Sequence, residues 1–162
     1  MALLSDVLLR GAVVRGRFYH NGAIMFGLGF IEAYELESKM VKNPRIVVTK
    51  PICNLHWLHN DPTNATGIVY DPTIRKDNDG LYYINTFRAD DESRCMFLPD
   101  GTRSLYFFRS ARERLVVLIE NAKIVEHWTK VAWAVNEFNR TVLAFPEWNL
   151  PPIDLETFDP SH

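Results

Sequence analysis

The first fifty residues alternate between short apolar runs and glycine-containing breaks, a pattern that predicts strands and a hairpin. The stretch Val7–Tyr19 is rich in Leu and Val and predicts a strand. Asn21-Gly22 predicts a two-residue type I′ turn, because both central residues of that turn need positive φ. The return strand is expected over 23–26, and the glycines at 27 and 29 end it.

Between Phe30 and Val41 the apolar residues change to helical spacing. Phe30, Ala33 and Tyr34 repeat at i, i+3 and i+4, which places them on one helix face that we expect to pack inward. Glu35 and Lys39 form a favourable i,i+4 pair on the side expected to be exposed. Asn43-Pro44 ends the helix, because proline cannot continue it, and Ile46–Thr49 predicts a short buried strand.

The second half predicts one further strand and two helices. A polar turn at 76–80 precedes a strand over 81–87. Ser110 and Glu113 have the spacing of a capping box, which predicts a helix beginning at that point. A second helix runs to about Thr141, and the proline-rich tail from Pro146 is expected to be extended or disordered, with Trp148 and Leu150 able to dock.

Composition sets broad limits on the class of protein. The chain has 162 residues, of which 47% are hydrophobic and 23% charged, as in one globular domain or one domain with a helical appendage. The net charge of −2 does not favour nucleic acid as a partner. No apolar run approaches the ~18 residues of a membrane span, and two cysteines without an export signal suggest a reducing compartment. We therefore expect a cytoplasmic protein with no membrane partner.

Two short segments could hold a metal ion. Cys53, His56 and His59 have a spacing compatible with zinc ligation, although no second ligand pair completes the shell and a loop with ordinary histidines is the alternative. The run at 75–80 resembles a calcium loop in outline, but Arg75 occupies the first ligand position and a polar turn is favoured. A group of arginines could meet phosphate, with a solvated helix face as the favoured alternative: Arg103, Arg109, Arg112 and Arg114.

One segment carries a family resemblance. The run Phe26–Glu37, FGLGFIEAYELE, aligns without gaps to the pattern Trp/Phe-Gly-x-x-x-Asn-x-Ala-x-Arg-x-Glu, matching it at Phe26, Gly27, Ala33 and Glu37. With the flanking runs at 10–13 and 44–48, it resembles the second half of the catalytic domain of class III nucleotide cyclases. The segments 79–84 and 133–139 are similar to bacterial cyclase-like proteins related to the antiphage pyrimidine cyclases of Pycsar systems.

The resemblance implies an α+β fold. It would be an incomplete, ferredoxin-like cyclase homology fold, with a mixed or antiparallel sheet, packed helices and two C-terminal helices. We expect a partial cyclase-like segment over 1–60, a strand and loop continuation over 61–105, C-terminal helices over 106–142 and a proline-rich tail over 143–162.

The resemblance also implies a chemistry. The family converts a nucleoside triphosphate to a 3′,5′-cyclic monophosphate and pyrophosphate, using Mg²⁺ or Mn²⁺ held by two aspartates at the interface of a dimer. An Asn and an Arg from the partner orient the ribose and neutralise phosphate charge, and Ile31 and Glu35 occupy those positions here. Phe26, Gly27 and Leu28 would be the nucleotide-contacting positions. The metal-binding aspartates of the family have no counterpart in the matched region.

The two substitutions and the missing aspartates together predict a cyclase-like protein that is truncated or degenerate and inactive alone; a subfamily that uses other residues, with Ile31 and Glu35 in a different register, is a further explanation. Loss of one donor to the transition state typically costs ~10²–10³ in rate, and Glu35 reverses a charge besides. The alternative is a non-catalytic dimerisation or regulatory module that keeps the cyclase-like interface. Either hypothesis implies a homodimer, or pairing with a complete cyclase-like chain, and a place in antiviral defence.

Overall fold

A computed structural model of the protein describes residues 8–53, 73–88, 96–97 and 103–158. The chain divides into two compact units, Leu9–Thr86 and Met1–Leu8 with Phe87–His162. We refer to them as the N-terminal and the C-terminal unit. The structure is mixed α and β, with a mixed sheet and packed helices, in agreement with the α+β class expected from the sequence.

The N-terminal unit is built on a four-stranded sheet of order β1-β4-β6-β5. β1 and β4 are parallel, whereas β6 is antiparallel to both of its neighbours. β4 is central and buried, as its run of β-branched residues predicts. The eight described strands are β1 (Gly11–Val13), β2 (Tyr19–Asn21), β3 (Ile24–Phe26), β4 (Ile46–Val48), β5 (Ile74–Lys76), β6 (Tyr82–Ile84), β7 (Met96–Phe97) and β8 (Arg103–Ser104).

β2 and β3 form the predicted hairpin, separate from the larger sheet. Its turn is shifted by one residue from the prediction. Asn21 pairs with Ile24, so that Gly22 and Ala23 are the central residues, and of the two Gly22 alone has positive φ, at 54°. A glycine at the first central position is typical of a type II′ turn, so the type I′ prediction is wrong. The strand predicted over 7–19 is also interrupted, because residues 14–18 form a loop between β1 and β2.

Helix α1 (Leu28–Glu35) continues into a π-helical turn (Leu36–Met40), close to the predicted helix but with a different buried face. Gly29 is buried and Ala33 half-buried, while Phe30 and Tyr34 are 43% and 65% exposed. The expectation that Phe30 and Tyr34 pack inward is therefore wrong. The physical reason is the close approach of α1 to the 14–18 loop, where a Cβ on Gly16 would lie 2.6 Å from the Gly29 Cα.

The C-terminal unit consists mainly of α2 (Tyr106–Glu120) and α3 (Val125–Ala144), which pack around a core containing Phe108, Leu115 and Phe138. α2 begins four residues before the predicted capping box, so that Ser110 lies inside the helix rather than at its N-cap. The first turn of α2 places Phe108 in the core, and this burial favours the additional turn without a side-chain cap.

The tail after α3 is docked rather than disordered. It contains two 3₁₀ turns, Pro146–Trp148 and Glu156–Phe158. Trp148 is buried between the rings of Phe108 and Phe145, at centroid distances of 4.6 and 4.7 Å. We call residues 145–158 the C-terminal strap. The expectation of a disordered tail is therefore wrong for these residues, and the docking of Trp148, which the sequence also allowed, is confirmed.

In the described part of the chain, none of the helices combines the length and the apolar character that crossing a membrane requires.

Candidate functional site

Four of the five segments that carry the family resemblance lie in the N-terminal unit, where an ion pair joins two of them; the fifth, 133–139, lies in the second long helix of the C-terminal unit. The Arg10 guanidinium forms an ion pair with the Glu37 carboxylate, and its Nη1 donates to the Val41 carbonyl at 3.2 Å. Arg10 immediately precedes β1, and Glu37 lies in the π-helical turn. Glu37, a position that matches the cyclase pattern, therefore fixes the helix end to the sheet.

A buried arginine joins the other two segments of the N-terminal unit. Arg45, directly before β4, has a side chain with no exposed area, and its guanidinium contacts the carboxylates of Asp77 and Asp79. It also lies over the Tyr83 ring, 5.6 Å from the ring centroid. The polar turn predicted at 76–80 is confirmed, and its Asp carboxylates compensate a buried charge instead of forming an open calcium loop.

The glycines before α1 are required by close packing. Gly27 has φ 147°, and a Cβ there would collide with the Arg17 carbonyl oxygen and lie 2.9 Å from the Phe18 Cα. The Gly29 N–H, which a phosphate would need in an anion-binding loop, donates to the Arg17 carbonyl at 3.1 Å. Of the expected nucleotide-contacting positions, Phe26 and Leu28 are exposed and apolar, at 58% and 74%.

The two positions at which the cyclase pattern has its Asn and Arg lie on the exposed side of α1. Ile31 is 53% exposed, and the Glu35 carboxylate accepts a hydrogen bond from the Lys39 ammonium at 2.8 Å. The predicted Glu35–Lys39 pair is confirmed. An alkyl group and a paired carboxylate stand one helical turn apart, and neither can donate a hydrogen bond to a ribose or a phosphate.

Among the sequence-predicted zinc ligands, only Cys53 belongs to the described residues; His56 and His59 fall outside them. Cys53 is fully buried beside β4 and β5, against Val48 and Ile74. Burial raises the pKa of the Cys53 thiol, although a backbone hydrogen bond acts in the opposite direction. A neutral thiol is a poor metal ligand, because the thiolate is the form that binds.

The described acidic residues do not fit a pair of divalent cations. Across residues 8–53, 73–88 and 105–158, no three His, Cys, Asp or Glu side chains converge as a metal would require. The carboxylates of Asp77 and Asp79 both contact the Arg45 guanidinium. A Mg²⁺ or Mn²⁺ ion would have to displace that buried guanidinium.

One arginine and one tryptophan of the C-terminal unit hydrogen-bond to the backbone of the tail. Arg112 donates to the Pro151 carbonyl at 2.9 Å, and Trp128 donates its indole N–H to the Phe158 carbonyl at 2.8 Å. Both bonds hold the C-terminal strap. Arg103 is one of the residues whose side chains the structure does not describe.

The sequence did not reveal a group of exposed apolar side chains on the hairpin and α1. Its side chains are each between 43% and 74% exposed: Phe18, Tyr19, Ile24, Met25, Phe26, Leu28, Phe30, Ile31 and Tyr34. The Phe18 and Phe30 rings, 6.5 Å apart, connect the hairpin part to the helix part. The sequence feature that could have predicted the buried face of α1 is the pair Gly29 and Ala33, because two small residues four apart mark a helix face that packs closely.

Comparison of the chain with protein-family descriptions, with curated proteins and with solved structures yields no match.

Proposed function

We propose that this chain is a cyclase-like domain that acts as a non-catalytic interaction module, pairing with another chain instead of turning over nucleotide. The observation that carries the proposal is the character of the exposed side of α1. Where the cyclase pattern has its Asn and Arg, that side presents Ile31 and the Glu35–Lys39 pair within an apolar surface.

The roles of the other pattern residues support the same proposal. Gly27 is required for close packing, Glu37 pairs with Arg10, and Arg45 is held by Asp77 and Asp79. Each of these residues stabilises the scaffold through contacts with other residues of the chain. None of these contacts requires a bound nucleotide. A chain that keeps the scaffold positions while replacing the donors fits a domain maintained for its surface.

Electrostatics argue against catalysis by the described residues. Cyclisation increases negative charge around the phosphates, and the family offsets it with metal ions and an arginine. The carboxylate of Glu35 would add negative charge at the arginine position. The described donor set does not fit the metal pair, so no catalytic step is assigned to a metal here. A role in antiphage defence belongs to the proposal through the family resemblance alone.

The direct test is an activity and binding assay on the purified chain. We expect no cyclic nucleotide from ATP, GTP, CTP or UTP with Mg²⁺ or Mn²⁺, measured by chromatography of the products. We also expect no saturable binding of a fluorescent triphosphate analogue at micromolar concentrations. Formation of a cyclic product by this chain would overturn the proposal.

A pair of variants distinguishes cyclic nucleotide made by this chain from cyclic nucleotide made by a contaminating cyclase. Glu35→Ala removes the carboxylate from the family's arginine position, and Glu113→Ala removes an exposed carboxylate from α2 in the other unit. A product that belongs to the chain should change in rate with Glu35→Ala and stay constant with Glu113→Ala. A contaminant would give the same background with both proteins.

A further inference from the structure

We propose that the face of α2 and α3 that holds the C-terminal strap is a binding site for an extended peptide of another protein, and that the strap is its tethered occupant. We call this face the strap site and define it by Phe108, Arg112, Trp128 and Asn139. The peptide shares the chemistry of the strap and displaces it on binding. This inference goes beyond the proposed function, since it concerns the C-terminal unit and holds whether or not the chain turns over nucleotide.

Side chains of both helices hold the backbone of the strap. Asn139 of α3 donates its side-chain N–H to the Ile153 carbonyl and accepts a hydrogen bond from the Ile153 N–H, both at 2.8 Å. Arg112 of α2 donates to the Pro151 carbonyl at 2.9 Å. In the recognition of extended peptides, bonds to the main chain supply affinity, and contacts with side chains supply specificity. The strap site has the first of these features.

The strap follows α3 back toward the start of that helix. Trp128, near the N-terminus of α3, donates its indole N–H to the Phe158 carbonyl at 2.8 Å. Asn139, which holds Ile153, lies eleven residues further along the helix, or about 16 Å at 1.5 Å per residue. The strap therefore runs antiparallel to α3 between these two points. A peptide that binds in its place would have the same direction.

The apolar side chains of the strap supply the second feature. Trp148 and Ile153 are buried, at 7% and 3% exposure, and Leu150 and Leu155 are partly buried against the same core. The positions between and beside them are exposed: Glu147, Pro151, Pro152, Asp154 and Glu156. A competing peptide must therefore present an aromatic anchor followed by spaced aliphatic residues.

The strap docks without joining a sheet or continuing a helix. Its backbone bonds include local turns, from the Trp148 N–H to the Phe145 carbonyl and from the Phe158 N–H to the Leu155 carbonyl. The proline pair at 151–152 has no N–H to donate and favours an extended conformation before docking. A segment that is already extended loses little conformational entropy on binding. The strap can therefore be exchanged for a similar peptide without breaking secondary structure.

Charge selects an acidic occupant. Residues 106–144, which include both helices, contain six Lys and Arg and four Glu, a formal charge of +2. Residues 145–158 contain two Glu and one Asp, a formal charge of −3. Complementary charge favours the right partner and disfavours a basic one. The expected partner is therefore an acidic segment that contains an aromatic anchor, a proline pair and aliphatic residues.

The test uses the full chain and, as the probe, a fluorescein-labelled peptide of residues 145–158, with binding followed by fluorescence anisotropy. In Trp148→Ala the tethered strap loses its aromatic anchor while the strap site is unchanged, so we expect saturable binding of the probe. The wild type should bind the probe at least about 100-fold more weakly, because the tethered strap competes for the site. Glu147→Ala, at an exposed strap position, is the matched control and should bind within about twofold of the wild type.

Two further changes test the contacts on which the inference depends. A probe with alanine in place of its tryptophan should bind the Trp148→Ala chain at least about 10-fold more weakly. Asn139→Leu, combined with Trp148→Ala, should weaken binding of the unaltered probe by about 10-fold, because the Ile153 backbone loses two hydrogen bonds. Arg140→Leu in the same background changes the adjacent exposed position and should leave binding within about twofold.

Circular dichroism of each variant shows whether it is folded. For a variant that is unfolded alone, the probe concentration that restores half of its helical signal replaces the anisotropy measurement, and failure to restore that signal overturns the inference. Equal affinity of the two probes, or equal affinity of the wild type and Trp148→Ala, also overturns it. A wild-type dimer that excess probe dissociates would instead indicate exchange of straps between two copies, and would exclude a separate partner. None of these outcomes involves cyclic nucleotide formation, so failure here is distinguishable from failure of the proposed function.

Discussion

Arg45 is a buried charged residue of the N-terminal unit. Its guanidinium is removed from water and is stabilised by the Asp77 and Asp79 carboxylates and by the Tyr83 ring. Burial of such a charge costs several kcal/mol, which close carboxylates offset. The residue thereby couples the start of β4 to the turn between β5 and β6 and holds three strands in register.

Replacement of Arg45 by methionine should destabilise the protein by about 3–5 kcal/mol, because the change leaves two neighbouring carboxylates without their counter-charge. Urea denaturation followed by circular dichroism measures the loss. Arg140→Met is the matched control: the Arg140 side chain is 60% exposed and lies 3.8 Å from Glu137, so the cost should stay below about 1 kcal/mol.

A triple variant tests whether charge is the cause. Adding Asp77→Asn and Asp79→Asn to Arg45→Met removes the repelling carboxylates and should recover part of the lost stability. If the triple variant is less stable than Arg45→Met alone, the aspartates stabilise the turn by other means. The hydrogen bonds from the backbone N–H groups of Asn78 and Leu81 to these carboxylates would then dominate.

At the scale of elements, glycine positions decide how α1 meets its neighbours. Gly27 and Gly22 both have positive φ, but their surroundings differ. A Cβ on Gly27 would meet the backbone of Arg17 and Phe18, whereas a Cβ on Gly22 would meet nothing within 4 Å. The first glycine serves both conformation and close packing, and the second serves conformation alone.

Because of this difference, replacing glycine by alanine should reduce the stability of the protein by different amounts at the two positions. Gly22→Ala should cost about 1 kcal/mol of stability, the usual penalty for placing alanine at positive φ. Gly27→Ala should cost at least about 3 kcal/mol, since α1 must also move away from the 17–18 backbone. Thermal denaturation of both variants provides the comparison. Equal destabilisation would contradict the steric role of Gly27.

The elements also show what the sequence can predict. The hairpin, the strand at 46–48 and the two long helices were predicted because turn residues and hydrophobic spacing act locally. The buried face of α1 was not, because spacing places Phe30, Ala33 and Tyr34 together without indicating which side meets the sheet. The close approach of Gly16 to Gly29, thirteen residues further along the chain, excludes large side chains from that face. The expected cyclase chemistry depends on the same long-range arrangement and stays a prediction.

At the scale of the whole molecule, each unit has a hydrophobic core of its own. The N-terminal unit packs Val48, Cys53 and Ile74 around its sheet. The C-terminal unit packs α2, α3 and the C-terminal strap around Phe108 and Phe138. The strap is fixed to α3 through Asn139, whose side chain both donates to the Ile153 carbonyl and accepts from the Ile153 N–H, each at 2.8 Å. The strap thus belongs to the core of its unit.

Because each unit has its own core, removing a core side chain from one unit should destabilise that unit and leave the other unit unchanged. Trp148→Ala removes the indole that lies between Phe108 and Phe145 and should cost about 3–5 kcal/mol within the C-terminal unit. Hydrogen exchange followed by mass spectrometry should therefore show faster exchange of the α2 and α3 amides, with β4 and β6 unchanged. Glu147→Ala, at the exposed neighbouring position, is the control and should alter neither set. Equal acceleration in β4 and β6 would mean that the two cores unfold as one cooperative body, in which case the strap stabilises the whole chain.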